Sequence, residues 1–194
     1  RPIRRYSVNL PEDPKVDQLQ FWIEVSPDGA TFAYVAIENN RRTLVIRPAD
    51  SLDPIVVPGT TGAYAPFFSP DSKWIAFFMT TPRCIKKVAI TGGYPQTICV
   101  AEPHTGGCWM QDGTIVIGGL EGRGLCKINP GDSKVLSIPL DEELVSYNRL
   151  YPSPSPVGQV ILFTKHTRGI SIASSVVHAL SMTDGTTTKL VEGA

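Results

Sequence analysis

A four-residue turn signal returns four times along this chain. It reads Ser26-Pro27-Asp28-Gly29, Ser69-Pro70-Asp71-Ser72, Met110-Gln111-Asp112-Gly113 and Ser155-Pro156-Val157-Gly158. Its third position falls at 28, 71, 112 and 157, so the steps are 43, 41 and 45 residues. A period near forty with strand-like flanks marks stacked four-stranded units, most often propeller blades. The flanking runs are 21–25 and 31–36, 65–68 and 73–78, 107–109 and 114–117, and 149–152 and 159–163. They are β-branched and aromatic residues between Pro, Asp and Gly clusters, which are strand signals. Their nearly continuous apolar character suits strands covered on both faces.

A second punctuation mark follows in every unit. Runs at 43–46, 86–90, 125–128 and 177–181 lead into Arg47-Pro48-Ala49-Asp50, Thr91-Gly92-Gly93, Asn129-Pro130-Gly131-Asp132 and Met182-Thr183-Asp184-Gly185. Each is a third strand closed by a turn, because Asp and Gly accept the backbone geometry that tight turns need. Fourth strands follow at 54–57, 96–100, 134–138 and 187–191. The expected fold class is therefore all-β, a β-propeller of about four four-stranded antiparallel blades. The expected blades are about 19–60, 61–101, 102–145 and 146–194. Residues 1–18 are expected to be a linker or an extra edge strand, with residues 6–10 as the candidate strand.

Composition narrows the function classes. Eighteen Lys and Arg balance eighteen Asp and Glu, so no global field attracts nucleic acid or an anionic membrane. No apolar run approaches the roughly 18 residues needed to span a bilayer. Seventeen Gly and seventeen Pro suit many turns and disfavour long helices. The chain opens Arg1-Pro2-Ile3-Arg4-Arg5, without an initiator Met or a signal-peptide pattern, which reads as a piece of a longer polypeptide. The cysteines at 84, 99, 108 and 126 form no Cys-x-x-Cys pair, so they read as small buried hydrophobes rather than zinc ligands. Cys84 and Cys99 flank a short hairpin and are candidates to lie near each other across it.

No P-loop, kinase signature or Gly-x-Ser-x-Gly elbow occurs. The Gly-rich stretch from 118 to 124 lies between two strands, not between strand and helix, which weakens a nucleotide reading. His104, His166 and His178 have no metal-ligand spacing. His178 sits in an apolar run and reads as a packed core residue. Asp28, Asp71 and Asp112 recur with the repeat, so their expected role is to accept turn backbone N–H bonds. Lys86-Lys87 reads as a solvated charge pair.

These segments resemble the TolB-like, WD-repeat-like β-propeller family. The residues that carry the resemblance are VSPDGATFAYVA, PFFSPDSKWIAFF, KKVAITGGYPQTIC and DGTIVIGG. They look most like the propeller modules placed C-terminal to bacterial serine/threonine kinase domains. The resemblance implies six to eight blades where this chain encodes about four, hence a partial ring or one completed by self-association, as a homodimer. It also implies an extracytoplasmic module, periplasmic or at the cell surface, that binds a protein or small-molecule ligand without cofactor or catalysis. The alternative is a propeller hydrolase or lyase acting on a sugar or ester. In propellers the loops that enter the innermost strands line the channel mouth. Tyr64, His104, Tyr147 and Arg149 hold those positions here, and Trp109 lies on an inner strand. These five residues are the candidate ligand site, with neither a catalytic nor a metal-binding residue expected.

Overall fold

The structure is a computed structural model that describes residues 15–16, 23–38, 40–51, 53–100, 105–119, 124–129, 131–141, 144, 150–156, 159–165 and 175–192. Every element among them is a strand. The first sheet holds β1 (Lys15–Val16), β2 (Ile23–Val25), β3 (Thr31–Glu38), β4 (Arg41–Pro48) and β5 (Ile55–Val56). The second holds β6 (Ala63–Phe68), β7 (Trp74–Thr80), β8 (Arg83–Ala89) and β9 (Gln96–Val100). The third holds β10 (Gly106–Trp109), β11 (Ile115–Gly118), β12 (Leu125–Ile128) and β13 (Val135–Ser137). The fourth holds β14 (Leu150–Pro154), β15 (Val160–Lys165), β16 (Val176–Ser181) and β17 (Thr187–Glu192). Each is an antiparallel meander whose strands follow chain order, apart from β1. The all-β, four-sheet propeller architecture expected from the repeat is what the chain adopts.

Residues 6–10, the expected extra strand, lie outside the described residues. The extra strand that is described is β1, which pairs with Ala36 and Ile37 of β3. Strand β2 pairs with Phe32, Ala33 and Tyr34 along the same edge. The inner edge of the first sheet is thus built from two short segments.

The repeated turns are made by the residues that recur. In the first, the Ser26 hydroxyl donates to Asp28 Oδ1 at 2.6 Å and accepts from Thr31 N–H at 2.9 Å. Asp28 Oδ1 also accepts from Ala30 N–H at 2.9 Å. The second repeats this pattern: Ser69 donates to Asp71 at 2.6 Å, Lys73 N–H reaches Asp71 at 3.1 Å, and Trp74 N–H reaches Ser69 at 2.9 Å. In the third, Asp112 accepts from Thr114 N–H at 2.9 Å. Side-chain oxygens here satisfy N–H groups that the strand ladders leave over.

Alternate residues of a strand face opposite ways, so a strand with a sheet on each side must be apolar at every position. Strand β7 obeys this. Ile75, Phe77 and Met79 join a core with Ala33, Leu44 and Ile46 of the first sheet. Ala76 and Phe78 join a core with Ile115, Ile117 and Cys126 of the third. A further core binds Cys108, Val116 and Leu125 to Ile161, Phe163 and Leu180 of the fourth sheet. The sheets therefore stack in chain order, each seam filled by its own apolar cluster. Their first strands, β2, β6, β10 and β14, stand side by side, as inner strands do. Among the described residues the array is not closed into a ring.

All four cysteines are buried, and none is in a disulfide. Cys84 stands opposite Val100 and Cys99 opposite Ile85. One residue out of register on adjacent strands, their side chains take opposite faces, Cys84 in the first seam and Cys99 in the second. His178 is buried and stacks on Phe163, centroids 5.3 Å apart and 13° between planes.

Candidate functional site

Of the five candidate residues, Tyr64 and Trp109 are described. His104, Tyr147 and Arg149 lie outside the described residues. Tyr64 is the second residue of β6, where the chain enters the inner strand. Its ring lies 5.5 Å from that of Phe78, and it packs half-buried on the core between the second and third sheets. Trp109 is the last residue of β10, where the chain leaves the inner strand. Gly107 packs level with Phe67, since a Cβ there would meet the Phe67 ring at 2.9 Å. Tyr64 and Trp109 therefore sit toward opposite ends of neighbouring inner strands and line no common described cleft.

Trp109 has the more informative surroundings. Its indole N–H donates to the Gly113 carbonyl at 3.0 Å, which fixes the ring against the third sheet's own turn. Trp109 lines a cleft of about 280 Å³ together with Ser69, Asp71, Trp74, Met110 and Gln111 among others. It also lines a second cleft of about 220 Å³ together with Lys87, Ile98, Ile128, Asn129 and Ser133 among others. Both clefts open at the seam between the second and third sheets, at the end that carries the repeated turns.

The electrostatics of this end are balanced. The Ser69 hydroxyl, then the Lys73 N–H, hold the Asp71 carboxyl below the usual carboxylate range. The Lys73 ammonium lies 4.0 Å from Asp71 with both side chains exposed, so this ion pair adds little stability. The Lys87 ammonium sits 4.7 Å over the Trp74 ring, a cation–π contact. Lys87 is therefore not simply solvated, as its sequence context suggests. It pairs with Ala76 across the hairpin, which puts it diagonal to Trp74, within reach for a long side chain. That register was the one sequence signal able to single out Trp74 and Lys87.

The neighbouring seam is built differently. Ser72, fourth in the second turn, accepts a hydrogen bond from Asp28 N–H of the first turn at 3.1 Å. This bond ties the first two blades together at their turn end. Ser72 holds φ 60°, a conformation favoured by glycine. Gly113 stands at the same position of the third turn, at φ 89°, with no side chain to reach back to Asp71. Both Asp71 and Gly113 line the larger cleft.

No protein-family model matches the chain, and no curated protein sequence matches it. Solved structures do match. A TolB-like protein of Agrobacterium tumefaciens is 19% identical with TM-score 0.67, the match covering 87% of this chain and 63% of that one. TolB of Acinetobacter baumannii is 16% identical with TM-score 0.67, covering 88% and 43%. The β-propeller domain of the trilobed protease of Pyrococcus furiosus, which has an open velcro topology, is 17% identical with TM-score 0.56, covering 89% and 58%. This chain spans less than two thirds of each neighbour's length. At such identities the likeness is one of fold, and the fold it supports is the TolB-like β-propeller.

Proposed function

We propose that this chain is a binding module without catalysis of its own, presenting a protein or small-molecule ligand site on the propeller surface. The observation that carries the reading is the fate of the recurring acids. Asp28, Asp71 and Asp112 each bond the backbone of their own turn, so the recurrent carboxylates serve the scaffold. The rest of the cleft lining at the seam is largely aromatic, aliphatic, amide and hydroxyl, suited to recognition.

The resemblance to kinase-linked propellers supports reading such a module as the extracytoplasmic sensing part of a bacterial signalling protein. Among the described residues no helix is long and apolar enough to cross a membrane. Self-association into a homodimer is supported by the open array, in which the fourth sheet leaves Tyr151 and Val191 exposed at 47% and 59% on its far side. Light scattering tests this: a dimer mass is expected, and a monodisperse monomer contradicts it.

A panel of ester and glycoside substrates, run beside binding measurements on the same purified chain, tests the module reading. Expected is no turnover, together with saturable binding. Turnover that survives repurification and is abolished by one substitution overturns the reading in favour of a propeller hydrolase or lyase.

A further inference from the structure

The seam between the second and third blades carries a feature that the first seam lacks. At the first, the Ser72 hydroxyl bridges to Asp28 N–H. At the second, Gly113 takes the place of Ser72, and Asp71 faces a cleft of about 280 Å³ instead of a hydroxyl. Trp74 and Trp109 wall this cleft, and Trp109 also walls the second one of about 220 Å³. The larger volume falls just below the usual range of small-molecule pockets. Two small clefts that share Trp109 suit a chain of small rings, one in each, better than a single bulky ligand.

Charge decides which ligand chemistry fits. The Asp71 carboxylate already has the Lys73 ammonium at 4.0 Å. The Trp74 face already has the Lys87 ammonium at 4.7 Å. A cationic ligand must displace or oppose both lysines, and an anionic one, though drawn by them, must lie against the Asp71 carboxylate that lines the larger cleft. A neutral polyhydroxylated ligand meets neither penalty. Its ring C–H faces carry partial positive charge, which the negative face of an indole attracts. Its hydroxyls find Gln111, Asp71, Asn129 and Ser133 as donors and acceptors along the two clefts.

We propose that the two clefts lined by Trp109 at the turn end of the second and third blades form a binding site for a neutral oligosaccharide. The site deepens the binding-module reading and rests on it. It lies at the end of the inner strands away from the entry where Tyr64 stands.

The test is a titration of the folded chain with cellotetraose, maltotetraose and tetra-N-acetylchitotetraose, read by tryptophan fluorescence and calorimetry. At least one is expected to bind saturably, with Kd at or below about 1 mM. Trp74→Ala and Gly113→Ser, checked as folded by circular dichroism, should each weaken that binding about tenfold or more. Gly113→Ser is the sharper variant, because it supplies the hydroxyl that bridges the first seam. Gln111→Ala changes only an exposed side chain, and is expected to weaken binding even if the other variants misfold. Tyr64→Ala should leave it intact. Hexalysine and hexaglutamate peptides are expected not to bind. No saturation by any of the three sugars up to about 10 mM overturns the inference, as does binding unchanged in Trp74→Ala and Gln111→Ala. A peptide bound across Trp109 in place of sugar overturns it too, and leaves the module reading standing. Cleavage of a bound sugar that is lost with Trp74→Ala supports the site and overturns the module reading instead.

Discussion

Ser72 combines a strained backbone with an inter-blade hydrogen bond. The two effects have opposite signs on substitution. Left-handed φ costs a non-glycine residue about 1–2 kcal/mol, and a hydrogen bond contributes about 1 kcal/mol net. Ser72→Ala keeps the strain and loses the bond, so it should lower stability by about 1–2 kcal/mol in urea denaturation. Ser72→Gly loses the bond and relieves the strain, and should stay within about 1 kcal/mol of the parent. Two equal losses would show that the bond to Asp28 contributes alone. Titratable groups make a second residue-scale prediction. Glu24 keeps part of its surface open, yet desolvation by the surrounding protein pushes its carboxyl from 4.5 up to about 7. The folded state then holds this proton more tightly than the unfolded chain does. Its contribution to stability is fully present below pH 4.5 and is lost as pH rises through about 7. Asp28 and Asp71 act in the opposite sense. Their carboxyls are lowered, by Ser26 and Ala30 in one turn and by Ser69 and Lys73 in the other. Their contribution is present above the ordinary value of 3.8 and is lost as pH falls through their lower folded values. The urea midpoint of Glu24→Gln should therefore vary less between pH 4.5 and 7 than that of the parent. Parallel curves would contradict the shift.

Within elements, close packing sets the predictions. Gly107 of β10 lies against the Phe67 and Phe78 rings, and its Cβ would approach them at 2.9 and 3.2 Å. Gly107→Ala should destabilise the protein by about 1–3 kcal/mol through overpacking, read as a lower thermal midpoint. The thiols report on the same seams. Burial pushes Cys99 up to about 11 and Cys108 up to about 12. A thiol reagent at pH 8 should modify them only after denaturant is added, since the thiolate is the reactive form. Strand positions were legible in the sequence because their causes are local. Ser-Pro-Asp-Gly at 26–29 and Ser-Pro-Asp-Ser at 69–72 fix the turns, and the β-branched and aromatic runs beside them read as strands. The Cys84–Cys99 relationship was half legible: adjacent strands follow from the hairpin, but opposite faces follow only from the register shift between Ile85 and Lys86. The bond between Asp28 and Ser72 spans 44 residues and was not legible, because the repeat presents Ser72 as one more variant of a turn glycine. The cleft beside Trp109 was hidden for the same reason. It depends on Gly113 standing where Ser72 stands, and on Trp74 from the preceding blade.

At the scale of the whole molecule, three apolar seams join four sheets in chain order. The blade count was legible from the spacing of the turns. Ring closure was not, because spacing states how many units exist and not whether the last meets the first. The arrangement of seams is the premise for the binding surface, since Trp74 and Trp109 belong to different blades and meet only if consecutive sheets stack. Methyl–methyl nuclear Overhauser contacts on a chain labelled at Ile, Leu and Val measure that stacking directly. Contacts are expected between Ile46 and Ile75 across the first seam, between Ile85 and Ile117 across the second, and between Val116 and Ile161 across the third. Contacts from Ile46 to Ile117 in place of these would place the first sheet against the third, and sequential stacking would be wrong.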